Sequence, residues 1–309
     1  MKRRAMWVIG IVVALVLLAA LGLRIAVQRN GPAVLDTVDR VAGGSSGVEL
    51  VQIASTGPSP QQQVRVFRPD EAGEGPLPVF VFFHGGSWAS GNPADYGFVA
   101  RNVAREGYVA VLGGYRLGEG GRYPGMVQDT AADIGWVYRN IARFGGDPQR
   151  IVIAGHSAGA YNAMQAALDP RWLDEAGVPQ AAIRGIVGLS GPYDFYPFDV
   201  DSTRAAFGSV GTGAESQPVN NVRPGLPPVL LVHGEADTTV KPRNSQALAA
   251  ALRAQGDSVE TLYLPGKNHA DPLLMLASPW RRDGRFFDTM IEFIDRAVTT
   301  SVPVQPKTP

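Results

Sequence analysis

The sequence contains no cysteine. That single absence removes disulfide frameworks, thiolate zinc sites and cysteine nucleophiles together. It says nothing about compartment, because exported proteins need no disulfide. Net charge is also lacking: 28 basic and 28 acidic side chains cancel, so no general affinity for nucleic acid or anionic surfaces is expected. Histidine is scarce, with only His84, His156, His233 and His269, which leaves few candidates for general-base work near neutral pH. No metal or cofactor motif stands out, and none is expected.

What is present begins with the N-terminus. Lys2, Arg3 and Arg4 precede an uncharged stretch, AMWVIGIVVALVLLAALGL at 5–23. As a helix rising 1.5 Å per residue it would be about 28 Å long, close to the ~30 Å hydrocarbon core of a bilayer. An uncleaved membrane anchor over 1–27 is the favoured reading. A cleaved signal ending near Ala20-Leu21-Gly22 and a buried helix are the rivals. The early positive charges favour the tail in the cytoplasm and the rest outside the inner membrane, secretion after signal cleavage being the alternative.

Residues 28–47, with Gly31-Pro32 and GGSSG, read as a linker, and a folded domain is expected over 48–298. VELVQI (48–53) and QVRVF (63–67) alternate around a turn, as an antiparallel hairpin would. PVFVFF (78–83), YVAVLG (108–113), RIVIAG (150–155), GIVGLS (185–190), PVLLVHG (228–234) and SVETLYL (258–264) are nearly continuous apolar runs, which suit parallel strands buried on both faces. Helical spacing separates them, for example Ala131, Ile134, Val137, Tyr138 and Ile141 before Gly145-Gly146. The expected fold is α/β: a mostly parallel twisted sheet with helices on both faces and an N-terminal antiparallel hairpin. Residues 191–227 show no periodicity, and 299–309 read as a loose tail.

RIVIAGHSAGAYNAMQAAL has the form strand, Gly-x-Ser-x-Gly, helix. A sharp turn there lifts Ser157 above the sheet and sets it at a helix N-terminus, where developing negative charge is favoured. The plainer alternative is a helix cap. A serine nucleophile needs a base and an orienting acid. His156 should point away across the turn. His84 and His233, at strand ends, read as structural, whereas His269 follows the last strand on a polar loop. Asp237, just beyond a strand at the same sheet edge, is preferred as the acid over Asp194. The Gly85 and Gly86 amides, with that of Ala158, are candidate donors to an oxyanion.

Taken together, HGGSW (84–88), GYRL (114–117), FGGDPQRIVIAGHSAGA (144–160), HGEADTTV (233–240) and NHA (268–270) resemble the α/β-hydrolase superfamily over about 60–295, more narrowly carboxylesterases and arylformamidases related to the hormone-sensitive lipase group. The resemblance implies the α/β-hydrolase fold, a triad of Ser157, Asp237 and His269, and an oxyanion hole of Gly85, Gly86 and Ala158. By the same resemblance Asp129 and Asp133 hold loops. HGGS in place of HGGG, GYRL in place of DYRL, and the lack of a helical N-terminal cap depart from the lipase-like pattern. The expected activity is hydrolysis of short to medium carboxylic esters through an acyl-enzyme. An amidase of the N-formylkynurenine type and a non-catalytic binding protein are the alternatives. Trp88, Tyr115, Tyr193, Phe195 and Tyr196 are candidate pocket residues or ordinary core.

Overall fold

A computed structural model describes residues 2–299 except 72, 209, 210, 212, 279 and 284, without the side chains of 2–12, 14, 19, 282 and 283. The expected tail beyond Thr299 lies outside the described residues. Eight strands form one sheet: β1 (Val48–Ser55), β2 (Gln63–Pro69), β3 (Leu77–Phe83), β4 (Val109–Gly113), β5 (Gly146–His156), β6 (Ile183–Leu189), β7 (Val229–Gly234) and β8 (Val259–Leu264), in the spatial order β1-β2-β4-β3-β5-β6-β7-β8. β1 pairs with β2, and β2 with β4, antiparallel; every other pairing is parallel. The nine α-helices of the described residues are α1 (Lys2–Asp39), α2 (Gly97–Ala104), α3 (Gly125–Asn140), α4 (Ala158–Leu168), α5 (Pro170–Glu175), α6 (Asp201–Phe207), α7 (Arg243–Ala254), α8 (Asp271–Leu274) and α9 (Arg285–Thr299).

The inner strands β3, β4, β6 and β7 are apolar along nearly all of their length because both faces are covered. On β3, Val79, Val81 and Phe83 join one core with Val127 and Ile134 of α3 and Tyr161 and Met164 of α4. Phe80 and Phe82 join a second core with Phe98 and Val103 of α2 and Phe286 and Phe293 of α9. Alternate side chains of a strand point to opposite faces, so one continuous apolar run feeds both cores. The parallel order brings the carboxyl ends of β3, β5, β6, β7 and β8 to one edge. This is the α/β-hydrolase fold, with the antiparallel pair at the N-terminal side as the alternation suggests.

The stretch expected as a linker, 28–47, has a different form. It is helical through Asp39 and continues as a wide turn over Arg40–Gly44. The reason is a set of long-range polar contacts. Asp36 and Asp39 are buried against Arg101 of α2, with Nη2 at 2.8 Å from Asp36 Oδ1 and 2.7 Å from Asp39 Oδ2. Arg101 Nε also donates to the Gly44 carbonyl (2.8 Å). Asp39 Oδ1 accepts from Asn102 Nδ2 (2.9 Å) and from the Ser278 amide (3.0 Å).

Further towards the N-terminus, α1 breaks at Asn30 (φ −156, ψ 80). There Asn30 Oδ1 accepts from the Ala33 amide (3.2 Å) and caps the second half of the helix. Much of the expected anchor, 5–23, falls on side chains outside the described ones; among the described residues no helix is long and apolar enough to cross a membrane.

Because Arg101 is buried, removing Asp39 leaves part of a charge unpaired. Asp39→Ala should therefore destabilise the domain by about 3 kcal/mol, the scale for breaking a buried pair. Urea unfolding checks this, and an unchanged midpoint would mean that the cluster adds no stability.

Candidate active site

β5 ends at His156 and α4 begins at Ala158, so Ser157 alone makes the strand-to-helix turn. It does so at φ 54, ψ −121, a strained conformation for a residue with a side chain. The flanking glycines permit the turn. A Cβ on Gly155 would lie 2.3 Å from the Gly159 carbonyl carbon, and one on Gly159 would lie 2.1 Å from the Phe83 oxygen. The Ser157 side chain makes no capping hydrogen bond to its helix. Its Oγ instead lies 2.9 Å from His269 Nε2.

His269 Nδ1 donates to Asp237 Oδ2 at 2.7 Å. That contact fixes the tautomer, because a carboxylate only accepts, and leaves Nε2 as the acceptor facing Ser157. The Asp237 side chain is fully buried. Its Oδ1 accepts from the Thr239 and Val240 amides, both at 2.9 Å. Burial pushes the Asp237 carboxyl up, but hydrogen bonds from His233 and His269 outweigh it and hold the group well below the usual carboxylate range. Asp194, the rival acid, is tied through its amide to Asn244 Oδ1 at 2.9 Å, and the carboxylate that meets His269 is that of Asp237.

Against Ser157 lies the turn after β3. A Cβ on Gly85 would sit 3.2 Å from Ser157 Cβ, and Gly86 has φ 123. The Ala89 and Ser90 amides both bond the Gly86 carbonyl at 3.0 Å, which curls the turn. Ala158 begins the helix directly after Ser157. The sheet edge thus brings together all six residues singled out in the sequence.

A family model, BD-FAE, matches residues 65–252. The chain belongs to the BD-FAE family. Esterase LipC of Mycobacterium tuberculosis is 30% identical over 239 residues, which cover 71% of this chain and 59% of that protein. Isoprenylcysteine alpha-carbonyl methylesterase ICME of Arabidopsis thaliana is 31% identical over 261 residues, covering 77% and 60%. The chain therefore spans about three fifths of the length of these curated relatives. Among solved structures, Esterase B of Lactobacillus rhamnosis superposes with a TM-score of 0.72 at 20% identity, covering 85% of this chain and 91% of that one, a likeness of fold.

In this BD-FAE chain the other histidines are supports. His156 Nε2 donates to the His269 carbonyl at 2.9 Å, and the two rings stand 5.0 Å apart. Burial, with His269 nearby, pushes the His156 imidazole down to about 3, so it stays neutral. His233 Nε2 donates to the Val240 carbonyl (2.8 Å) and reaches Asp237 Oδ2 (3.2 Å), while its Nδ1 faces Ser245 Oγ at 2.8 Å. His84 stacks on Tyr115 with centroids 4.5 Å apart, and Tyr115 donates to the His84 carbonyl at 2.8 Å. The Gly114 and Arg116 amides are held by Asp133 and Asp129, both at 2.9 Å. The sequence offered no signal for His156 as a latch, because its partner is a backbone carbonyl on a distant loop.

Of the aromatic candidates, Trp88, Tyr115 and Tyr193 are buried, Phe195 is partly buried and Tyr196 is half exposed. Trp88 donates to Asn162 Oδ1 at 3.1 Å and packs edge-on against Tyr161 and Phe207. A small cleft of about 90 Å³ lies beside it, walled by Ser87, Gly118, Arg122 and Ala205.

The depressed Asp237 carboxyl makes a pH prediction. A group lowered in the folded state stabilises fully above its ordinary value of 3.8 and loses that contribution as pH falls below it. Asp237→Asn should be less stable than the parent at pH 7 and lose less stability between about pH 4 and pH 2, as urea titrations at several pH values would read. Parallel curves would show that this carboxylate is not the linked group.

Proposed function

We propose that this chain is a serine carboxylic-ester hydrolase. The observation that carries the reading is the unbroken row Ser157 Oγ, His269, Asp237, with contacts of 2.9 and 2.7 Å on a strained strand-to-helix turn. Family membership and the esterase names of the relatives support it.

In this reading Ser157 Oγ bonds to the substrate carbonyl carbon and its proton passes to His269 Nε2. Asp237, kept ionised, stabilises the imidazolium. Amides of Gly85, Gly86 and Ala158 face the oxyanion, each donor contributing about 3 kcal/mol of barrier lowering. Collapse breaks the ester C–O bond, and the departing alkoxide takes the proton from Nε2. Water then attacks the acyl-enzyme, gives its proton to Nε2 and releases the acid; the proton returns to Ser157.

His156 is a positioning residue here, since it fixes the loop that carries the base. The tightly filled cluster of Trp88, Tyr161 and Phe207 beside the site favours short to medium acyl groups. The catalytic domain, first bounded at 48–298, then takes in the packed stretch from Asn30. The apolar stretch 5–23, with Lys2–Arg4 before it, supports membrane attachment with the domain outside the inner membrane.

A fluorophosphonate should label the parent protein at Ser157 and fail to label Ser157→Ala; persistent labelling of that variant would sink the assignment. Asp237→Asn and His269→Ala should each lower kcat by about three to four orders of magnitude with the fold retained. If N-formylkynurenine is cleaved with higher kcat/KM than p-nitrophenyl acetate, the amidase reading replaces the esterase one.

A further inference from the structure

The N-terminal helix leaves the folded domain at a defined place. α2 follows β3 and the turn at 84–92, so its first residues stand at the carboxyl edge of the sheet and its last ones at the opposite edge. The chain from Asn30 to Ser46 runs alongside α2 over that whole length. Asn30 Nδ2 donates to Asp95 Oδ2 (2.8 Å) just before α2 begins. Asp36 and Asp39 hold Arg101 in its middle. The Gly43 and Ser46 carbonyls accept from Arg105 at its far end, at 3.3 and 3.0 Å. What precedes Asn30 therefore departs at the carboxyl edge, where Ser157, Asp237 and His269 converge.

Among the described side chains of that segment, no large apolar one is buried against the folded domain. Leu15, Val16, Leu17 and Leu18 are four successive residues, each at least 60% exposed, so apolar side chains point to every side of the helix. Leu21, Leu23, Ile25 and Val27 continue the surface. An all-round apolar helix is unfavourable in water and suits a hydrocarbon surround. Lys2, Arg3 and Arg4 before the uncharged stretch, and Arg24 and Arg29 after it, match anionic headgroups. The bracket on α2 also matters. A flexible linker of about twenty residues would have a root-mean-square reach near 25 Å and leave the domain free to tumble. Here the three contacts along α2 hold the helix base against the domain instead. At the same edge, after β6, Tyr196 and Val200 are each about half exposed.

We infer that the N-terminal helix is immersed in an anionic lipid bilayer and holds the catalytic edge towards it. Resting on the esterase reading, this makes the substrate an ester whose apolar portion stays in the bilayer while its carbonyl reaches the interface. Such a substrate meets Ser157 by moving along the membrane surface rather than by diffusing from bulk water.

The absence of cysteine allows a direct test of orientation. Val200→Cys, at the carboxyl edge, and Ala142→Cys, an exposed position at the opposite edge, would each be labelled with an environment-sensitive fluorophore in the full chain. The proteins would then be added to phosphatidylcholine–phosphatidylglycerol vesicles carrying nitroxide lipids. The label at 200 should be quenched about threefold more than the label at 142; equal or reversed quenching overturns the orientation.

For the substrate class, a Leu17→Glu, Leu18→Glu double variant should fail to float with vesicles. It should cleave the acetate ester of a vesicle-embedded long-chain alcohol about tenfold more slowly than the parent, with p-nitrophenyl acetate turnover unchanged. Equal effects on both esters, or none on either, would overturn the substrate assignment. A parent protein that cleaves neither ester would overturn the esterase reading and leave the quenching result standing.

Discussion

Ser157 keeps φ 54 only because backbone packs against backbone on both sides of it. Gly155 lies against Gly159, and Gly159 lies against the carbonyls at the end of β3. No side chain fits between them, so the helix start, the turn and the neighbouring strand form one rigid unit. The Gly85-Gly86 turn inherits its place from the same unit, being the continuation of β3. A strained serine is stable only where its surroundings over-determine it, and here two cores, one on each face of the sheet, do so.

The four histidines share one side-chain chemistry and differ only in surroundings. His269 is partly exposed and bonded through both ring nitrogens to Ser157 and Asp237. His156, buried against it, holds its backbone and remains neutral. His233 braces the loop of the carboxylate, through Val240 and Asp237 together. His84 is pushed down to about 4 by burial and serves as a flat surface for Tyr115. One ring meets the nucleophile; the others hold the backbone on which that ring and its partners stand.

The inner strands were legible in the sequence because burial on both faces forces near-continuous apolar runs, and β3 to β7 fall on such runs, whereas β8 at the sheet edge has no buried residue. The elbow was legible because close backbone approach admits only glycine at 155 and 159. Asp237 and His269 could be found because each follows a strand whose carboxyl end reaches the same edge. The packed form of 28–47 was not legible. Gly31-Pro32 and GGSSG look like a tether, while the groups that order the stretch, Arg101, Asn102 and Ser278, lie 62 to 239 residues away. The latch by His156 was hidden for the same reason: pattern rules read neighbours in sequence, and its partner is a carbonyl 113 residues on.

Asp39 has a consequence for how the molecule comes into being. Its carboxylate is completed by Arg101 and Asn102 and finally by the Ser278 amide, 239 residues downstream. At bacterial or eukaryotic ribosomal speeds of about 5–20 residues per second, that last donor follows Asp39 by tens of seconds. Throughout that interval the nascent helix carries an incompletely paired carboxylate beside an exposed apolar stretch. Closure of the cluster is therefore a late event in biogenesis, and it joins α1 to the segment after β8 only when all eight strands between them have been made.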